Sequence, residues 1–260
     1  MLLAIDIGNT NIKLALFEGK RIICNRRLLT DKAGNRRHYE KRIKGIFAGR
    51  RLKNIQIDEI IICSVVSKLT SVFKKALFSL FKKKALILGK DIFVPVKNFY
   101  KKPKQVGQDR LANALAAFNK YGGPTIVVDF GTALTFDLVT AAGSYLGGVI
   151  VPGVEISLKA LSECADLLPE ITLKRPKALL GRETAASMQS GIVYGYSFLV
   201  EGILGQIKRE MNLRPRVVAT GGCAALMAGY CRSINRVDKN LTLEGLRLVY
   251  KKIEKNRKKA

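Results

Sequence analysis

Three short stretches place groups able to handle phosphate and a hydroxyl proton. They are Asp6-Ile7-Gly8-Asn9-Thr10, Asp129-Phe130-Gly131-Thr132 and Gly107-Gln108-Asp109-Arg110. In the first two, a carboxylate precedes a glycine turn whose backbone N–H groups can face phosphate oxygens, and Gly8 or Gly131 lets an anion approach the main chain. Asn9, Thr10, Asn11 and Thr132 add side-chain donors. Asp6 and Asp129 repel phosphate directly but suit a cation that bridges carboxylate and phosphate. In the third stretch an Asp beside an Arg could accept a hydroxyl proton and orient an anionic substrate; an Asp at a helix start is also an ordinary cap.

The elements that must hold these residues are legible in the same pattern. Leu2 to Ile7 reads as a buried strand, and Ile12 to Phe17 as its hairpin partner. Ile126 to Phe130 followed by Leu134 to Val139 repeats the plan in register: 129 − 6 and 131 − 8 both give 123. A second echo pairs Glu59 to Val66 with Arg216 to Gly222. The distance from Asp6 to Ser64 is 58 residues and from Asp129 to Gly221 it is 92, so the second half carries 34 extra. Two α/β halves built on one plan, with a cleft between them, follow from this duplication. The boundary is expected at Gly122-Gly123-Pro124, giving domains 1–121 and 122–260.

Helices are expected over Arg110 to Asn119, Thr184 to Leu204 and Leu241 to Lys252. Thr184 reads as a helix cap or a substrate ligand, and Tyr100 as a core aromatic or a pocket residue. Gly147 to Gly153 reads as a flexible loop beside a pocket or a turn between elements.

Other chemistries lose support. The chain has no G-x-x-x-x-G-K-[ST] and no G-x-G-x-x-G, which disfavours P-loop and Rossmann sites. A single histidine, His38, and five scattered cysteines without a C-x-x-C pair argue against a histidine triad, a zinc site or a disulfide framework. With 48% hydrophobic and 25% charged residues, the 260-residue chain is ordinary for a globular protein. No apolar run reaches a membrane span and no signal-peptide pattern opens the chain, so a cytoplasmic location is expected.

Charge is the abnormal quantity: 46 Lys and Arg against 20 Asp and Glu give +26. Residues Lys20 to Lys53 hold 13 basic and 2 acidic groups, Lys68 to Lys104 hold 11 and 1, and Lys251 onward 6 and 1. From Gln105 to Val200 the balance is 7 to 8. The basic segments contain few aromatics and no nucleic-acid module, so no specific nucleic-acid partner is expected.

Taken in order, these motifs resemble the type III pantothenate kinase family, within the superfamily that joins acetate and sugar kinases, heat-shock chaperones and actin. The likeness rests on DIGNTNIK (6–13), NFYKKPKQVGQDRLAN (98–113), DFGTALTFD (129–137) and GGVIVPG (147–153), with TAASMQSG (184–191), ATGG (219–222) and LTLEGL (241–246). It implies two ribonuclease H-like, actin-like domains and ATP-dependent phosphorylation of the terminal hydroxyl of pantothenate, the first step toward coenzyme A. Asp109 would be the general base, with Tyr100, Gly107, Gln108, Asp109, Arg110 and Thr184 on pantothenate. Asp6, Ile7, Gly8, Asn9, Thr10, Asn11, Ile12, Lys13 and Thr132 would bind ATP. Asp6 would place Mg2+ and Asp129 the monovalent cation, K+ or NH4+. A homodimer is implied, with its contacts and the pantothenate pocket in the second half, near the inserted segment. The competing readings are a superfamily kinase for another small metabolite and a non-catalytic ATP-binding regulator with a basic nucleic-acid-binding face.

Overall fold

In the computed structural model, which describes residues 1–48 and 55–257, the chain forms two compact units. Arg50, Arg51 and Lys53 of the first basic run, and Lys258-Lys259 of the tail, lie outside the described residues.

The first unit opens with three antiparallel strands, β1 (Leu2–Ile7), β2 (Asn11–Glu18) and β3 (Arg21–Leu29). Helix α1 (Arg36–Phe47) leads to β4 (Glu59–Ser64), and α2 (Ser67–Phe81) leads to β5 (Ala85–Ile87). The sheet order is β3-β2-β1-β4-β5, with β4 and β5 parallel to β1. Asn35 starts α1 by accepting the His38 N–H at 3.0 Å, as a helix cap should. Helix α3 (Gln108–Tyr121) then carries the chain into the second unit, which takes over at Ala117.

The second unit repeats the order. Its strands β6 (Thr125–Phe130), β7 (Ala133–Val139) and β8 (Tyr145–Pro152) are antiparallel. Helices α4 (Val154–Glu163) and α5 (Thr184–Glu210) precede β9 (Arg216–Gly221), and the short α6 (Ala224–Met227) precedes β10 (Arg236–Val237). The order β8-β7-β6-β9-β10 is that of the first sheet, strand for strand. Register agrees with the duplication: Ile7 pairs with Ser64 and Phe130 with Gly221, and 130 − 7 is again 123. The extra residues are α4, α5 and the segment joining them, where the first unit has α1 alone among the described residues.

Two sequence expectations are corrected. Gly147 to Gly153 is no flexible loop: Tyr145–Pro152 is a strand paired with β7, and its alternating exposure is that of a sheet face open to solvent. The last helix, α7 (Leu241–Arg257), belongs to the first unit, so a single cut after residue 121 does not describe the packing. Leu243, Leu246 and Val249 are buried, and α7 packs against β1, β2 and β4.

Alternation along the strands decides which side chains reach the site. Leu3, Ile5 and Ile7 of β1 join Tyr39, Ile43, Leu69 and Phe73 of α1 and α2 in one apolar layer. Each such buried aliphatic chain contributes about 1.5–3 kcal/mol. Asp6 alternates with them and faces the opposite side of the sheet. In the second unit Ile126, Val128 and Phe130 join Val193, Val200 and Leu204 of α5, which leaves Asp129 on the opposite side of its own sheet. Among the described residues no helix is long and apolar enough to cross a membrane.

Candidate active site

In each unit the parallel strands end at the hairpin that carries the carboxylate, the end where ligands of α/β sheets bind. In the first unit, Asp6 lies in register between Lys13 of β2 and Cys63 of β4, and Lys13 in turn opposes Arg27 of β3. The row is thus carboxylate, ammonium, guanidinium. Gly8 N donates to Asn11 O at 2.9 Å to close the turn, leaving Asn9 and Thr10 exposed at its tip. Thr30 straps that tip from β3, with Oγ1 donating to Gly8 O at 2.7 Å and N donating to Thr10 O at 3.0 Å. Arg27 Nε donates to Asn11 Oδ1 at 2.6 Å.

Asp109 stands in the first turn of α3, after its start, so it is no end cap; its Oδ1 accepts the Arg110 N–H at 2.9 Å. The carboxylate folds back over Gly107, where a Cβ would collide with Asp109 Oδ1. Burial pushes the Cys63 thiol well above its ordinary pKa, and the negative charges of Asp6 and then Asp109 push it further. Both carboxylates therefore lie within electrostatic reach of one buried sulfur at the end of β4. Gln108 packs its side chain over Gly89, and its buried Oε1 has no hydrogen-bond partner among the described residues.

In the second unit, Asp129 sits between Thr135 of β7 and Thr220 of β9. Gly221 has φ +97, and a Cβ there would strike both Asp129 Oδ1 and the Phe130 backbone. Thr220 is 1% exposed and its Oγ1 has no hydrogen-bond partner among the described residues. Gly153 N donates to Thr132 O at 3.1 Å and fixes the turn after Gly131. Asp137, fully buried, accepts from Thr135 Oγ1 at 2.9 Å and Tyr145 OH at 2.8 Å. The Tyr145 backbone in turn binds Lys97 O and Phe99 N at 2.8 and 2.9 Å, which holds the strip carrying Tyr100 beside β8. Tyr100 lies against Gly147. Thr184 is exposed at the first position of α5, with Glu183 at the cap position, so the cap alternative falls.

The sequence-predicted residues thus divide between units. Asp6 to Lys13 share the first unit with Gly107 to Arg110, and Tyr100, Asp129, Thr132 and Thr184 lie in the second. Sequence reasoning missed Arg27, Thr30, Thr220 and the Asp137–Tyr145 pair. Thr220 had a signal, since it precedes the Gly221-Gly222 turn; Arg27 was one basic residue in a basic run.

Comparison with known proteins gives this geometry a family. The type III pantothenate kinase family pattern matches residues 2–206. The type III pantothenate kinase of Geobacter sulfurreducens is 44% identical over 257 residues, covering 99% of this chain and all of that protein. That of Anaeromyxobacter dehalogenans strain 2CP-C is 42% identical over the same length and coverage. The solved structure of MreB 5 of Spiroplasma citri bound to AMPPNP is 12% identical and superposes with a TM-score of 0.55, covering 99% of this chain and 98% of that one, which supports the actin-like fold alone. The chain belongs to the type III pantothenate kinase family, the enzymes that phosphorylate pantothenate with ATP on the way to coenzyme A.

Proposed function

We propose that in this chain Asp109 accepts the proton of the terminal hydroxyl of pantothenate as that oxygen attacks the γ-phosphorus of ATP. One O–P bond forms, the bond from the γ-phosphorus to the bridging oxygen breaks, and ADP leaves with the electron pair. The observation that supports this reading is the position of Asp109 in the first turn of α3, in the unit that carries the Asp6 hairpin, with its carboxylate folded over Gly107. Phosphoryl transfer asks a protein chiefly for positioning and charge neutralisation, and a base adds on the order of 10^2 to 10^4-fold.

Asp6 to Lys13 and Thr132 hold the ATP phosphates in this reading. Exposed Asn9 and Thr10 offer donors at the hairpin tip, and Lys13 stands next to Asp6. Tyr100, Gly107, Gln108, Arg110 and Thr184 hold pantothenate, the guanidinium of Arg110 suiting its carboxylate.

The donor sets fit the cations that the family resemblance implies. Among the described residues no cluster of three or more His, Cys, Asp or Glu could cage a metal. Asp6 supplies a single carboxylate, as Mg2+ held mainly by phosphates and water requires. Asp129 has the unpartnered buried oxygen of Thr220 beside it, an oxygen set suited to K+ or NH4+. Bound there, the cations would neutralise charge on the transferring phosphoryl group.

A homodimer through the second unit is part of the same proposal. Ile156, Leu161 and Phe198 on α4 and α5 are exposed, as are Leu167, Leu179 and Leu180 in the segment that joins them. A cytoplasmic location is kept as well, supported by the five cysteines, none of them in a disulfide.

The test is formation of 4'-phosphopantothenate by wild type and by Asp109→Asn, with Mg2+ present and K+ or NH4+ supplied or withheld. A folded Asp109→Asn protein that binds ATP and turns over at least a hundredfold more slowly is expected. Wild-type turnover in that variant would remove Asp109 from the base role.

A further inference from the structure

The second unit concentrates anion-binding groups at the end of its sheet away from Asp129. Strands β9 and β10 are parallel, and Arg236, the first residue of β10, stands beside Val218, two residues into β9. There Arg214, Pro215, Arg216, Asn235 and Arg236 line an open cavity of about 570 Å³. From Arg216 to Gly221, at the Asp129 end, is five residues of strand, about 17 Å at roughly 3.3 Å per residue. This cavity is therefore not part of the hairpin that faces ATP.

Two of its polar walls are fixed from behind in a way that leaves only donors in front. Asn235 Oδ1 accepts the Val217 N–H at 2.7 Å, and Asn235 N donates to Val217 O at 2.9 Å. With its carbonyl engaged, the side-chain amide has its NH2 group to offer. Arg216 is held by its backbone N–H on Pro124 O at 3.0 Å and by Nη1 on Tyr121 O at 2.6 Å. That leaves most of its five guanidinium donors free for a ligand. Among the described residues no carboxylate lies within ion-pair distance of Arg214, Arg216 or Arg236. Three formal positive charges thus stand together around one cavity with no acceptor side chain turned to them. The lining has no aromatic ring, so nothing there stacks a nucleobase.

We propose that this cavity binds a compact oligophosphate, a di- or triphosphate group recognised by its charge and its oxygen atoms, at a site separate from the Asp129 hairpin. Guanidinium forks match phosphate oxygens in pairs, and three of them match the charge of a pyrophosphate or tripolyphosphate. The group can be a free inorganic ion or the phosphate end of a larger metabolite.

The test is calorimetric titration of pyrophosphate into protein saturated with a non-hydrolysable ATP analogue, which keeps the catalytic hairpins occupied. It is run at low salt on wild type, on Arg214→Ala/Arg236→Ala, and on Arg26→Ala/Arg37→Ala, which removes two exposed charges elsewhere. Saturable binding to wild type and to the control pair, weakened at least tenfold in the cavity pair, is expected, with pantothenate phosphorylation unchanged in the cavity pair. No saturable binding to wild type, equal binding by the cavity pair, or equal loss in the control pair would each overturn the proposal. A parallel titration with ADP separates the sources. Affinity equal to that of pyrophosphate supports the site as one for esterified diphosphates, and pyrophosphate binding without ADP binding supports it as one for the free ion.

Discussion

Arg27 on β3 donates from Nε to the side-chain oxygen of Asn11 on β2 at 2.6 Å, inside the motif that forms the first phosphate hairpin. The bond uses the carbonyl of the Asn11 amide and so directs its NH2 group elsewhere. In the proposed site that group faces phosphate, and Arg27 acts as a positioning residue for it.

Removing the Arg27 side chain frees the amide to rotate. Arg27→Ala should raise the KM for ATP about fivefold, the worth of one ordinary hydrogen bond, and leave the KM for pantothenate in place. Steady-state kinetics with each substrate varied in turn checks this. A rise in both KM values, or a fall in kcat alone, would speak for general disturbance of the sheet.

Thr220 is nearly isosteric with valine, so Thr220→Val keeps the shape of β9 and removes only the hydroxyl. If that oxygen joins Asp129 in holding a monovalent cation, half-maximal activation should need about fivefold more K+. Activity measured across a K+ series, with thermal unfolding as a control for the fold, reads the shift. An unchanged activation curve would leave Asp129 without this partner.

Helices α3 and α7 touch where Gly245 faces Ala112, and a Cβ at 245 would run into the Ala112 carbonyl. Gly245→Ala gains in helix propensity, roughly 1 kcal/mol, yet overpacking of this kind costs typically about 1–3 kcal/mol. A net fall in melting temperature of a few degrees is expected. Calorimetry decides the sign, and a rise would show that the two helices can separate at no penalty.

Asp238 accepts from Lys120 Nζ at 2.7 Å and Tyr121 OH at 2.9 Å, and also from the Asn240 N–H at 3.1 Å. Burial alone would raise its pKa; the bonds from Lys120, Tyr121 and Asn240 outweigh burial and hold it below the usual 3.8. A depressed folded-state pKa means that the carboxylate stabilises the protein above pH 3.8 and that this part is lost as pH falls through the lower, folded value. The same contact raises the Lys120 pKa above 10.5, so its share is complete below that pH and fades as pH rises through the folded value. Asp238→Asn should therefore lower stability at neutral pH and flatten its decline in acid. Urea unfolding at several pH values from about 2 to about 7 measures both.

The two hairpins could be read from the chain because a buried strand, a glycine turn and a second strand are local patterns, and the offset of 123 residues confirmed one with the other. Ser64 and Gly221 were legible for the same reason, and they do occupy equivalent pairings. The stretch 147–153 was misread because Gly147-Gly148 suggests a loop, whereas β7 supplies the hydrogen bonds that make it a strand. Arg27 and Thr220 stayed hidden because their meaning depends on which strand lies alongside, a pairing that no single segment encodes. The amphipathic pattern of α7 gave a helix but could not name its sheet, which lies more than 170 residues earlier in the chain.

That last association sets an order of events during synthesis. β1, β2 and β4 leave the ribosome long before residues 241–257 exist, and the whole second unit is made in between. The nascent first sheet must wait with Leu2, Ala4 and Phe17 uncovered on the side that α7 later takes, while both pieces of the second unit, residues 97–101 and 117–240, are already made. The carboxylate row at Asp6 is thus among the first parts translated and among the last to acquire its finished surroundings.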